Sequence, residues 1–331
     1  MATVGPGGTG YATESHTGHA AQHGEDHLDR KAAEASKAVA DRWDDIVLRA
    51  FETITYLLPS PYSDNAASYD LLPHMSIRSL ISLSYLPELL GTLLINDSVT
   101  DWVERSNVYN ALLRLLRRMA DSELSVGVLI GERPEKRKSV GLEAWMWGDG
   151  PIEWETRPGT NEIIRAPPLY DHFKKLTKQC ETFLTGASHL LEDGGGDVED
   201  MTVRATSLCG DMISAQQDMQ RALSVICGET VDMVSGPKEK GKGRDPNVEM
   251  EKKYCATCEE LAFKHVTLSS DLSTGGLAYP TYCYANDVMQ TTNSARQPAK
   301  RLHLIKEISA TSTSLPPGVW VRVDEVRNDV M

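Results

Sequence analysis

The sequence predicts a mainly helical protein, and three observations support that prediction. Apolar residues recur at spacings of three and four over long stretches, as on one face of a helix. Prolines and glycines divide these stretches into segments of helical length. The longest stretch is a heptad pattern interrupted by three glycines, which is typical of a helical hairpin. We therefore expect an armadillo-like stack or a helical bundle, followed by a long hairpin.

Composition and charge restrict the class of protein. The chain has 331 residues, 40% of them hydrophobic, which is enough for one or two helical cores. Its net charge of -13 argues against a general binder of nucleic acid or of anionic membranes. No apolar run approaches the roughly 18 residues of a membrane span, and the N-terminus lacks a signal-peptide core. Six scattered cysteines indicate a reducing compartment, the cytoplasm or the nucleus.

The N-terminal half is predicted to contain a disordered tail over residues 1–31 and a helical domain over residues 32–168. The tail is rich in small residues and histidine and has no apolar periodicity. Pro59 and Pro61 stop the first helix, and Pro87 interrupts or ends the second. Ser98 and Asp101 resemble a capping pair at the start of the third. The predicted helices are Ala32–Leu58, His74–Leu90 and Ser98–Ala120. The apolar face of the first includes Val39, Trp43, Ile46, Val47, Ala50, Ile54, Leu57 and Leu58.

A tryptophan-rich loop interrupts the helical pattern between Gly131 and Pro168. Trp145, Trp147 and Trp154 lie there among glycines and prolines. Such a cluster either attaches a long loop to a helical core or forms an aromatic ligand slot. We expect attachment to the core.

Residues 169–234 carry the heptad pattern on both sides of the glycines. One half includes Phe173, Leu176, Cys180, Phe183, Ala187 and Leu190; the other includes Met201, Ala205, Leu208, Met212, Ala215, Met219, Ala222 and Ile226. The simplest arrangement is an antiparallel hairpin. The pattern leaves open whether the helices pair within one chain or across a dimer.

A pair of cysteines lies beyond the hairpin. A charged linker (235–250) is followed by a helical connector (251–297) that contains Cys255 and Cys258 in a CxxC motif. These two cysteines, with His265 and Cys283, are weak candidates for a zinc site, because the second closely spaced pair of such motifs is missing. We therefore expect ordinary helical cysteines, no metal and no cofactor.

The last 34 residues, 298–331, predict a helix, a turn and a strand. An apolar stripe of Ala299, Leu302, Ile305 and Ile308 begins at Pro298. The run from Thr311 to Ser314 is poor helix material, and Pro316, Pro317 and Gly318 end the helix. In the strand that follows, Val319, Val321 and Val323 share one face.

This segment resembles the opening of a ubiquitin-conjugating domain, most closely in the large-protein branch of that family. The matching residues are Lys300, Arg301, Leu302, Lys306, Glu307, Leu315, Pro316 and the run Trp320–Glu325. The resemblance implies that residues 298–331 are the truncated start of an α+β ubiquitin-conjugating fold. A single strand is marginally stable, so we expect the valine face to have no sheet that buries it.

The resemblance also implies a reaction and its partners. In this family a thiolate cysteine receives ubiquitin from the activating enzyme, and an Asn-type group stabilises the oxyanion as a lysine attacks. Those elements lie beyond the strands present here, and the sequence has no His-Pro-Asn tripeptide. We therefore expect no catalytic residue in this chain and no activity of the chain alone. Basic residues of the first helix meet the activating enzyme and ligases in this family, and Lys300, Arg301 and Lys306 match them.

The sequence is thus interpreted as the N-terminal regulatory or scaffold portion of a ubiquitin-conjugating enzyme-like protein. Its implied partners are ubiquitin, the activating enzyme and a ubiquitin ligase, and we expect neither nucleic acid nor membrane as a partner. The alternative is a non-enzymatic helical scaffold for protein–protein interaction, with helix-mediated dimerisation left open.

Overall fold

A computed structural model of the chain describes residues 22–159, 162–188, 196–227, 246–266, 298–316 and 318–324. Over these residues the protein is mainly helical, which confirms the predicted fold class. The helices are α1 (Gln22–Leu57), α2 (Ser68–Leu71), α3 (Ser76–Leu83), α4 (Leu86–Ile95), α5 (Val99–Glu104), α6 (Ser106–Ala120), α7 (Glu123–Ile130), α8 (Leu142–Trp147), α9 (Leu169–Ala187), α10 (Gly196–Cys227), α11 (Pro246–Ala262) and α12 (Pro298–Ser314). The strands are β1 (Arg133–Pro134), β2 (Lys136–Lys138), β3 (Glu153–Trp154), β4 (Arg165–Ala166), β5 (Phe263–Val266) and β6 (Val321–Asp324).

The chain divides into two compact units, Met1–Arg49 and Ala50–Met331. In the first unit, residues 1–21 of the predicted tail lie outside the described residues. The backbone is helical from Gln22. Val39, Trp43 and Ile46, three residues of the predicted apolar face, are exposed. At these positions the helical spacing of apolar residues therefore does not predict burial.

Helix α9 lies at the centre of the second unit, where it packs against α4, α7, α10 and α12. The predicted apolar stripe from Phe173 to Ala187 is buried along its length. Near one end of α9 the Gln216 Nε2 lies 3.5 Å from the Tyr170 hydroxyl, and further along the Cys180 Sγ lies 3.3 Å from the Met212 Sδ. The later residue on α9 therefore contacts the earlier residue on α10. The two helices run in opposite directions and form an antiparallel hairpin within one chain.

Helices α4 to α7 complete this core, with boundaries that differ from the predicted ones. The Ser98 side chain accepts a hydrogen bond from the Asp101 N–H, as the capping pattern predicts. The predicted third helix is broken at Arg105 into α5 and α6. The second is interrupted at Ser84 and Tyr85, the first of the two predicted alternatives for Pro87, and Pro87 lies in the first turn of α4. Proline fits this first turn because its missing N–H has no partner to lose there.

The segment between α7 and α9 is attached to the helices by a buried lysine side chain, whereas two of its three tryptophans are exposed. It forms two antiparallel pairs, β1 with β4 and β2 with β3, together with α8. Trp145 and Trp147 are exposed, so the expected attachment through these two rings is wrong. Lys136 is buried instead, and its Nζ donates to the carbonyl oxygens of Ser82 and Ser84 and to the Glu88 carboxylate.

The C-terminal elements form a small layer of their own. The CxxC segment is helical, as predicted, but its helix ends at Ala262 and β5 follows. Strand β5 pairs in parallel with β6, in the register Phe263↔Val321 to Val266↔Asp324. Residues 235–245 of the predicted linker and 267–297 of the predicted connector lie outside the described residues.

Two expectations about the C-terminal segment are wrong. Val323 is fully buried against Phe263 and Ile308, so β6 does have a partner that covers it, whereas Val319 is exposed. Helix α12 continues through Thr311 to Ser314. The hydroxyls of Thr311 and Ser314 donate to carbonyl oxygens one turn back, which lets hydroxyl residues remain in a helix.

Candidate functional site

The resemblance to the conjugating fold begins on α12, and this helix is docked on α9. Of the predicted stripe, Leu302, Ile305 and Ile308 are buried, whereas Ala299 is exposed. Beside them the Ser309 hydroxyl donates to the Gln179 carbonyl oxygen at 2.7 Å, in a buried position. The Gln179 side-chain amide donates to the Thr313 hydroxyl. Buried polar groups require such partners, so these two bonds fix the position of α12 along α9.

The three predicted partner-binding residues on α12 have different surroundings. Lys300 is exposed and Arg301 is half-buried. Lys306 is half-buried, and its Nζ donates to the Thr100 hydroxyl of α5 at 3.0 Å. Burial lowers the pKa of Lys306, and the nearby Glu104 opposes that shift. Lys300 is thus presented to solvent, whereas Lys306 belongs to the contact between α12 and α5.

We expect charge reversal at Lys306 to lower the free energy of unfolding by about 1 kcal/mol, because it removes one hydrogen bond and places a carboxylate near Glu104. Lys300→Glu, on the exposed side of the same helix, should change it by less than about 0.5 kcal/mol. Urea denaturation of both variants measures the difference. Equal effects of the two substitutions would show that Lys306 has no structural role.

A groove lies next to α12, with a volume of about 590 Å³. One wall is α9, the opposite wall is α11, and the end is closed by the last turn of α12 and the segment that follows it. The backbone of Gly318 in that segment has φ +83°, which glycine adopts without strain. Cys255 and Cys258 line the α11 wall. The groove therefore joins the cysteine pair to the C-terminal segment, a proximity that residue spacing did not reveal.

Three lysines line the opposite wall. Lys174, Lys175 and Lys178 project from α9, and the Lys178 Nζ donates to the Glu259 carbonyl oxygen across the groove at 3.4 Å. In the sequence, the only sign of this cluster is that Lys175 and Lys178 lie one and four residues after Lys174, which places all three on one side of a helix. Burial lowers the pKa of His172 on the same helix, and the charges of Arg133 and Lys175 lower it further. This part of α9 is thus a positively charged surface.

The cysteines do not form a metal centre with other described residues. No group of three or more His, Cys, Asp or Glu side chains that could hold a metal ion occurs among the residues that the structure describes. A hydrogen bond with Cys258 raises the pKa of the Tyr254 hydroxyl. Cys180 and Cys209 lie elsewhere, buried in the hairpin, where burial raises the pKa of the Cys180 thiol. In the described ranges, no helix has the length and apolar character needed to cross a membrane.

Comparisons with known proteins add a distant relationship. No protein-family model matches the chain, and no solved structure matches it. The human "Dual E2 ubiquitin-conjugating enzyme/E3 ubiquitin-protein ligase BIRC6" is 24% identical over 288 residues, 82% of this chain and 6% of that protein. Its mouse counterpart of the same name is 25% identical over 294 residues, 82% of this chain and 5% of that protein. The chain thus spans only a small part of the relatives it matches.

The extent of the match bears on which part of the chain carries the similarity. The segment that resembles a conjugating domain has 34 of the 331 residues. A match over 82% of the chain must therefore include most of the helical part that precedes it. The chain is distantly similar to a small region of BIRC6 (also called BRUCE or apollon), a large enzyme of the ubiquitin pathway.

Proposed function

We propose that this chain is a non-catalytic helical scaffold in protein ubiquitination, the regulatory portion of a ubiquitin-conjugating enzyme-like protein. Its partners would be ubiquitin, the activating enzyme and a ubiquitin ligase, in the cytoplasm or nucleus. The distant similarity to BIRC6, whose name describes a dual conjugating enzyme and ligase, supports a place in this pathway. The residues from Lys300 to Glu325 that resemble the start of a conjugating domain support the same assignment.

The observation that carries the proposal is the docking of α12 on α9. A helix that only connects two domains needs no buried polar contact, yet Ser309 and Gln179 make one here. Strand β6 is held as well, through its pairing with β5. In the proposed function these contacts hold the first helix of the conjugating fold on the scaffold and leave Lys300 exposed for the activating enzyme or a ligase.

A competition assay tests this proposal on the chain as it stands. An excess of the chain should slow ubiquitin charging of an unrelated conjugating enzyme by activating enzyme and ATP, because both would offer a basic first helix to the same surface. Lys300→Glu should relieve the inhibition several-fold. Lys138→Glu, at another exposed lysine, is the matched control and should not. If the unchanged chain does not inhibit charging, or if Lys300→Glu and Lys138→Glu inhibit it equally, Lys300 is not the residue that contacts the activating enzyme.

A second assay tests the link to a conjugating domain. The chain and a version extended in frame by its downstream genomic sequence are incubated with activating enzyme, ATP and ubiquitin. Charging of the extended form alone would support the proposal, because the thioester needs the cysteine that the family carries beyond the first strands. If neither form becomes charged, the interaction scaffold described next is the better account.

One observation favours that second candidate, a non-enzymatic scaffold for protein–protein interaction. Large apolar side chains between Tyr56 and Met75 are exposed. They are Tyr56, Leu57, Tyr62, Tyr69, Leu71, Leu72 and Met75. The Tyr69 hydroxyl donates to the Leu57 carbonyl oxygen, so Tyr69 lies beside the beginning of this stretch. Exposed apolar residues in such a concentration are typical of interaction surfaces.

A further inference from the structure

We propose that the groove between α9 and α11 binds an acidic peptide segment of a partner protein, with the lysines of α9 as the charged contacts and the end of the groove as an apolar one. This goes beyond the role in ubiquitination, and it does not depend on it. Three features support it: the shape of the groove, the sign of its charge and the chemistry of its end wall.

The shape suits a peptide better than a flat protein surface. At about 590 Å³ the groove falls within the range of pockets that bind small ligands, roughly 300–1,000 Å³. It is bounded by two helices on its sides and by the segment after α12 at its end. A short extended segment fits between such walls, because its side chains can contact both.

The charge selects an acidic occupant. Among the described lining residues, Glu259 is the acidic member, against Lys174, Lys175 and Lys178. Lys174 and Lys175 are exposed, with the Lys174 Nζ 4.7 Å from the centre of the Tyr170 ring. The chain as a whole, with a net charge of -13, repels acidic segments. The cluster of lysines attracts them locally, at the groove.

The end wall argues for a peptide rather than a nucleic acid. Leu315 and Val319 supply apolar surface there, and Ala262 adds to it from the last residue of α11. An aliphatic or aromatic side chain of a peptide can cover this surface, whereas a phosphate backbone gains nothing from it. The occupant is therefore a peptide that combines acidic residues with an apolar one.

Fluorescence anisotropy with a fluorescein-labelled peptide tests the proposal, using a short sequence of aspartate and glutamate interrupted by leucine and phenylalanine. A reducing agent in the buffer prevents disulfide capture by Cys255 or Cys258. We expect saturable binding that weakens as the salt concentration rises. The double variant K174E/K175E should bind at least about tenfold more weakly, because two attractions become repulsions. Val319→Ser should weaken binding a few-fold through lost apolar contact.

The control is R137E/K138E, which reverses two neighbouring exposed charges on β2. It should bind the peptide as the unchanged chain does, and all variants should have unchanged circular dichroism spectra. Absence of saturable binding, or equal loss in both double variants, would overturn the proposal. So would a single-stranded oligonucleotide that displaces the peptide at a lower concentration than the unlabelled peptide does. The competition assay with Lys300→Glu concerns another surface, so the two proposals fail separately.

Discussion

Replacing Phe173 by alanine should lower the free energy of unfolding by about 3–5 kcal/mol, the cost typical of removing a buried aromatic ring. Phe173 is fully buried on α9, the helix that packs against α4, α7, α10 and α12. A cavity on this helix removes contacts from the centre of the unit, and the surrounding helices relax only in part. Urea denaturation followed by circular dichroism measures the change through the shift of the midpoint at constant slope.

Trp147→Ala is the matched control for this substitution. It removes a larger aromatic ring, but from a side chain that is 78% exposed, so we expect a change of less than about 0.5 kcal/mol. A loss at Phe173 no larger than the loss at Trp147 would mean that α9 is not the centre of the fold. A changed slope in the Phe173 variant would indicate that the helices around α9 unfold in separate steps.

The hairpin could be predicted from the sequence because its information is local and repeated. The apolar residues from Phe173 to Ala187 all indicate the same buried face of α9, and Met212 and Met219 indicate the corresponding face of α10. Over such a length many positions agree with the helical period, so a single exception does not change the prediction. The pattern did not decide between pairing within one chain and pairing across a dimer; the contacts between α9 and α10 in the structure show pairing within one chain.

Helix boundaries were harder to predict because they depend on one or two residues. Pro87 is compatible with the end of a helix or with its first turn, and only the chain geometry at Tyr85 decides between the two. The break at Arg105 has no proline or glycine to announce it. The attachment through tryptophans was wrong for another reason: the Lys136 ammonium makes the contact, through hydrogen bonds to the carbonyl oxygens of Ser82 and Ser84 that no sequence pattern indicates.

The candidate site was predicted only in part because its contacts join distant residues. The spacing in α12 indicates which of its sides is apolar, but not that Gln179 lies opposite Ser309. Nor does it reveal that Lys306 faces Thr100, which is more than 200 positions earlier in the chain. The alternation in β6 indicates two faces without naming the strand that pairs with it. Lysines on α9 and cysteines on α11 become one groove only through this tertiary packing.

Val323→Asp should detach the C-terminal layer from the helical core, with a cost of about 3 kcal/mol or more. Val323 is fully buried against Phe263 and Ile308. A carboxylate at this position would lose its hydration and lie among apolar side chains. The cost falls on a layer of two strands and one helix, whereas the packing of α9 against α4, α7 and α10 does not involve Val323. We therefore expect local opening rather than global unfolding.

Hydrogen exchange distinguishes these outcomes, with Val319→Asp as the control on the same segment. The two valines belong to one predicted face, but Val319 is 43% exposed, so its substitution should leave exchange unchanged. In Val323→Asp the amides of β5 and of α12 should exchange faster by about a hundredfold or more, the equivalent of 3 kcal/mol, while those of α6 and α10 stay protected. Faster exchange in all helices would show that the layer and the core unfold together. Unchanged exchange in β5 would show that its pairing with β6 does not hold the layer, and would remove the structural basis for a C-terminal helix fixed on the scaffold.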